Sequence, residues 1–179
     1  MRSLGRFASA LATLALCAGV AVGAPARFTI ASATFRDNAF MPKSTVYDKG
    51  GCRGGNRSPE LHWTGAPKAT KSFALVAHDP DAPAPGGWYH WVAYNIPPTT
   101  RNLAFGARVA PGQLGTTSFG ATGYGGPCPP PGNVHHYRFT LYALNEPSLR
   151  GSALTGPQVE AAVRGHVLAQ TVTIGLYKQ

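Results

Sequence analysis

Charged side chains are scarce in this chain: 13% of 179 residues, with only seven Asp and Glu among them. The 16 basic residues are scattered singly and never form a dense run, which argues against a nucleic-acid footprint. Cysteine is nearly absent, at three, and no CxxC or His partner stands at ligand spacing, so a structural zinc site is not indicated. There is no G-x-S-x-G and no HExxH, so neither hydrolase signature is present. No internal repeat and no second domain can be discerned. What the chain has in quantity is turn chemistry. With 22 Gly and 16 Pro, it is expected to be mostly β, with short helices only.

Residues 1–24 read as a cleaved signal peptide. Arg2 and Arg6 form a positive start, Phe7 to Val22 is apolar and rich in small residues, and Val22-Gly23-Ala24 offers a cleavage site after Ala24. Cleavage after Ala26 is the neighbouring alternative. Lipidation at Cys17 is disfavoured because Leu16 is bulky where that processing needs a small residue. The expected destination is a periplasm or the exterior. Residues 25–179 then form one domain, and losing Arg2 and Arg6 leaves 14 basic against seven acidic residues, a net charge of +7. Such a surface is mildly attractive to anionic partners, including peripheral contact with a membrane. Cys52 and Cys128 remain, both in Gly-rich loops. In an exported chain they are expected to form a disulfide, a metal pair being the weaker reading.

The stretch Asp79 to Tyr94 organises the rest. Ser72–His78 suits a buried strand, Asp79 to Gly87 (DPDAPAPGG) must turn, and Trp88–Ile96 returns to strand composition. Strict alternation puts His90, Val92 and Tyr94 on one face and Tyr89, Trp91 and Ala93 on the other. Other expected strands are Arg27–Phe35, Pro59–Thr64, His136–Leu144 and Gln170–Tyr177, with Pro97 to Gly115 as connection. One helix is expected, from a Thr155 cap with Pro157 in its first turn and Gln158 at capping-box spacing, through about Ala169.

Two histidines stand out by their company. His90 follows the Asp79/Asp81 turn, and His135 opens a strand after a Gly-Pro loop, placed here at the sheet edge. A His–carboxylate pair would hold an imidazolium, and the backbone N–H groups of Tyr124-Gly125-Gly126 would form a nest for an anion. Tyr137 and Tyr94 would add hydroxyls. Phosphate, sulfate or a carboxylate group would fit such a pocket. His62 and His166 are read as structural.

These motifs resemble those of the phosphatidylethanolamine-binding protein family, in particular its bacterial Raf-kinase-inhibitor-like branch. The resemblance rests on DPDAP followed by Trp88-Tyr89-His90-Trp91, on GYGGPCPPPG with HHYRFTLYAL, on NRSPELHWTGAP at Asn56–Pro67, and on HVLAQ with GLY near the end. It implies a large central β-sheet packed against a smaller one. It also implies a surface pocket for small anions such as phosphate, or for phospholipid head groups; no cofactor or metal is expected from the residues themselves. Carried over by position, Asp79, His90, His135 and Tyr137 would line that pocket, with Pro129 and the Gly125-Gly126 backbone as a wall. Asp81 would brace the turn. His136 stands where many relatives carry Arg, and Thr117-Ser118 where they often carry Asn-Asp. Three functions remain open: a binding module without catalysis, a protein-interaction role such as inhibition of a protease or kinase, and an unrecognised hydrolase.

Overall fold

The computed structural model describes residues 27–107 and 111–179; the expected signal segment, residues 1–24, lies outside them. In chain order come β1 (Thr29–Ala31), β2 (Ala39–Phe40), β3 (Leu61–Thr64), β4 (Ser72–Asp79) and β5 (Trp88–Ile96). These are followed by β6 (Asn102–Leu103), β7 (Gln113–Leu114), β8 (His135–Leu144), the helix α1 (Gly156–Ala162) and β9 (Val167–Tyr177). A six-stranded sheet runs β2-β9-β8-β4-β5-β7, and a three-stranded sheet runs β1-β3-β6. Among the described residues, these strands pair antiparallel except β2 with β9, which is parallel.

The apolar run of β4 reflects its place. It is central, and seven of its eight residues are buried because both faces of the sheet are covered there. One face meets the smaller sheet: Ile30, Leu61 and Trp63 pack against Phe73, Leu75, Phe139 and Leu141. Trp63 sits edge-on to Phe73 with ring centroids 5.5 Å apart. Removing a buried ring such as Phe139 would cost about 3–5 kcal/mol. The other face meets α1, where Ala74, Val76, Val92 and Tyr94 enclose Val159 and Val163. β3 alternates as expected, with Leu61 and Trp63 buried and His62 and Thr64 exposed.

Several boundaries differ from the sequence reading. The helix ends at Ala162 rather than Ala169, and β9 begins at Val167. Gly165 adopts φ +82°, which stops the helix, and Val167 pairs with Leu144 of β8. Cross-strand pairing therefore overrides the helical spacing of His166 and Val167. The start of α1 is as expected, with Gln158 Oε1 accepting the Thr155 backbone N–H at 2.9 Å. β1 is only three residues long, and the expected connection 97–115 contains the short strands β6 and β7. β8 lies inside the large sheet, so His135 sits at the end of an inner strand and not at an edge.

Candidate functional site

β4 and β8 pair antiparallel, so the end of β4 that carries Asp79 lies beside the start of β8. His135, Tyr137 and Phe139 of β8 alternate onto the face that meets the smaller sheet. Asp79 and His135 thereby meet at the end of that layer: His135 Nδ1 lies 2.8 Å from Asp79 Oδ2, with both side chains buried. The other carboxylate oxygen accepts the Asp81 backbone N–H at 2.9 Å. Asp81 in turn takes the backbone N–H and Nδ1 of His136, each at 2.8 Å, which ties the turn to β8. Partial burial of Asp81 opposes ionisation, but its bonds to His136 outweigh this and hold its carboxyl below the usual range. Asp81 thus braces the turn, and His136 supplies the contact.

His90 reaches the site through a β-bulge. Ala77 pairs with Trp91 and His78 with Tyr89, so His90 is an extra residue on β5. Alternation resumes on either side of it. Tyr89 packs with Val92 and Tyr94 on the helix side, while Trp91 and Ala93 lie between the sheets. The expected grouping of His90 with Val92 and Tyr94 is therefore overturned. His90 instead stands edge-on to Tyr137, with ring centroids 5.0 Å apart. Tyr94 is removed from the site altogether, its hydroxyl donating to the Gly151 carbonyl.

The glycine loop behaves differently from the expectation of an anion nest. The Gly125 N–H donates to the His90 carbonyl at 2.8 Å, and the Gly126 N–H donates to Asn56 Oδ1 at 2.8 Å. Both donors are engaged within the protein, so neither faces a ligand. Gly126 is required for another reason: a Cβ there would overlap the Thr45 carbonyl oxygen. The Tyr124 hydroxyl likewise donates to that carbonyl at 3.0 Å. These three residues hold the loop behind the site without lining it.

A pocket of about 370 Å³ opens over Asp79, His90, His135 and Tyr137. Pro129 lines it as expected, together with Cys128 and Pro130. Most of the remaining wall is apolar. Trp88 and Tyr47 both pack on Phe119, at centroid distances of 5.4 and 4.5 Å, and Ala82 and Pro83 come from the turn after β4. The sequence reading missed this aromatic wall. Its signal was the isolation of Tyr47 and Phe119 within Gly- and Pro-rich loops, where no core would take them. Cys52 and Cys128 are disulfide-bonded beside it, with Cα atoms 5.8 Å apart.

The protonation pattern is uneven. Burial pushes the His90 pKa down to about 4, despite opposing effects of the Gly125 carbonyl and Asp79. His90 is therefore a neutral imidazole near pH 7. Its Nδ1–H donates to the Gly125 carbonyl at 2.7 Å, which leaves Nε2 with a lone pair. Burial, followed by the charge of Asp79, raises the pKa of the Tyr137 phenol. That hydroxyl is buried beside the Asp79 carboxylate, which helps raise its pKa, yet among the described residues it makes no hydrogen bond of normal geometry. A buried donor without a partner is costly, so its position at the pocket draws attention to what it would bind. Among the described residues no group of three or more His, Cys, Asp or Glu could hold a metal ion.

Comparison with known proteins places this geometry in context. The family model described as phosphatidylethanolamine-binding protein matches residues 31–178. The UPF0098 protein YbcL of Escherichia coli (strain K12) is 42% identical over 127 residues, covering 66% of this chain and 69% of that protein. A UPF0098 protein of Methanothermobacter thermautotrophicus is 40% identical over 149 residues, covering 80% and 97%. The crystal structure of E. coli YbcL, described as a new member of the mammalian PEBP family, superposes with a TM-score of 0.81 at 35% identity. It covers 86% of this chain and 99% of that one. A putative phosphatidylethanolamine-binding protein homologue from Chlamydia trachomatis, CT736, gives a TM-score of 0.76 at 33% identity, covering 85% and 97%.

Proposed function

The chain belongs to the phosphatidylethanolamine-binding protein family, and from that premise we propose that its pocket binds a small phosphate-bearing ligand, a phospholipid head group above all, without turning it over. The observation that carries this reading is the Tyr137 hydroxyl, buried and unpartnered beside the Asp79–His135 pair. Family likeness alone would be analogy; an unanswered donor in this chain's own pocket is a physical reason.

The ligand must suit a floor that offers few donors. Tyr137 supplies a hydroxyl, whereas neutral His90 offers a lone pair and Asp79 a carboxylate. A bare phosphate dianion would meet Asp79 with like charge. A head group that carries an ammonium as well as a phosphate answers both kinds of partner. The aromatic and proline walls then shield these bonds from water and give the ligand's carbon atoms apolar contact. Absence of turnover fits the lining residues: among the described ones there is no serine or threonine, and Cys128 is held in a disulfide.

The reading extends to location. A signal peptide ending at Ala24 and delivery to the periplasm or beyond accord with the Cys52–Cys128 disulfide, which persists in oxidising compartments. Among the described residues no helix is long and apolar enough to cross a membrane. Calorimetric titration with O-phosphoethanolamine and with inorganic phosphate tests the proposal. Binding of the former, weakened by Tyr137→Phe, is expected; no binding of either would end it.

A further inference from the structure

One side of the pocket is built from two loops, and the disulfide joins them there. Tyr47 and Gly50 come from the first loop, and Cys128, Pro129 and Pro130 from the second. Near their bases the loops are fastened by hydrogen bonds. The Tyr47 N–H donates to the Pro127 carbonyl at 3.0 Å, and the Gly126 N–H and Tyr124 hydroxyl reach Asn56 and Thr45. Towards the tips this fastening stops. No backbone hydrogen bond joins residues 50–52 to residues 128–132. The first tip also holds an unfavourable backbone. Gly50, Gly51 and Arg53 all have positive φ, and at Arg53 (φ +47°) no glycine relieves the strain. The Cys52–Cys128 bond is what holds the two tips against each other, and both cysteines are partly exposed to solvent.

We infer that the Cys52–Cys128 disulfide is a positioning element of the binding pocket, so that ligand affinity depends on the oxidation state of this pair. The inference rests on the binding role proposed above. The reductant is a dithiol. One of its thiolates attacks a protein sulfur and displaces one cysteine thiolate; its second thiol then closes the reductant's own disulfide and releases the other cysteine. Two electrons pass to the protein, which takes up two protons, and the dithiol becomes a disulfide. The pocket then loses its ordered wall while Asp79, His90, His135 and Tyr137 stay fixed on the sheet. A ligand must order that wall again on binding, which lowers affinity without removing any polar contact.

The test compares the oxidised chain with the same chain reduced by dithiothreitol and with the double variant Cys52→Ser, Cys128→Ser. Amide exchange followed by NMR reads the loops, and titration with O-phosphoethanolamine reads the site. Expected on reduction is faster exchange at Cys52 and Gly54, whose N–H groups are bonded to the Lys49 and Tyr47 carbonyls, by a larger factor than at Gly125, Gly126 and the sheet amides. Affinity should fall about tenfold and return on reoxidation. Unchanged exchange at Cys52 and Gly54 would overturn the inference. So would an acceleration at Cys52 and Gly54 no greater than that of the sheet amides, which would reflect only the loss of global stability, or an affinity indifferent to reduction. If the oxidised chain takes up no O-phosphoethanolamine, the binding reading fails by itself, and the exchange data still decide whether the bond positions the wall.

Discussion

His90 and Gly125 clasp each other twice: the Gly125 N–H donates to the His90 carbonyl at 2.8 Å, and His90 Nδ1 donates to the Gly125 carbonyl at 2.7 Å. This double bond fixes the tautomer of a buried imidazole and anchors the glycine loop to the bulge in β5. It also turns a loop expected to hold an anion into a structural brace.

The buried neutral state of His90 has a consequence for stability. An unfolded histidine has a pKa near 6.5, and the folded value of about 4 is lower, so the unfolded chain binds the proton more readily. The contribution is fully present above pH 6.5 and is lost as pH falls towards 4. Its size is roughly 3 kcal/mol, from about 1.4 kcal/mol per pKa unit. Urea unfolding of the wild type at pH 7 and pH 4.5 should show this loss. His90→Asn, which keeps a donor near the Nδ1 position and cannot titrate, should show a smaller one. Equal pH slopes in the two proteins would contradict a neutral buried His90.

Asp79 holds the turn and His135 together, so its removal should cost stability. Asp79→Ala leaves the Asp81 N–H and His135 Nδ1 without their acceptor, and a loss of about 2–4 kcal/mol is expected. Asp81→Ala, at a more exposed site, should cost less than 1 kcal/mol or so. Chemical denaturation of both variants at pH 7 checks the order; a larger loss at Asp81 would reverse the roles given to the two carboxylates.

The disulfide closes a chain separation of 76 residues. Chain entropy sets its contribution at roughly 4 kcal/mol before native strain. Reduction should lower the urea midpoint accordingly while leaving the protein folded in buffer. A midpoint insensitive to reductant would mean that the unfolded chain gains no freedom from the cut.

The proposed export predicts the N-terminus of the mature protein. Protein recovered from its native host should begin at Pro25, and N-terminal sequencing reads this directly. A chain beginning at Met1 would contradict cleavage after Ala24.

Much of the fold was legible because the long strands carry strong composition. Trp88–Ile96 was bounded correctly from aromatic and β-branched content, and β4 was placed within a residue. The joining of Asp79 to His135 was legible only as a meeting of motifs, since no local pattern reveals a contact across 56 residues. Three things were hidden. The bulge at His90 breaks alternation, and no glycine or proline marks it. Gly125 and Gly126 looked like free donors because their partners, His90 and Asn56, lie far off in sequence. The helix overran because His166 and Val167 kept its spacing while pairing with β8 decided the outcome.

Tyr137→Phe tests the binding role most directly, because a structural and a functional hydroxyl respond in opposite ways. A hydroxyl that braced the fold would lower stability when removed, whereas this one makes no hydrogen bond of normal geometry and has only its contact with the Asp79 carboxylate to lose. Expected is an unfolding free energy unchanged or slightly raised, within about 1 kcal/mol, together with a roughly five- to tenfold loss of affinity for O-phosphoethanolamine. Affinity equal to the wild type would contradict a ligand bonded to Tyr137, and with it the reading of this pocket as a head-group site.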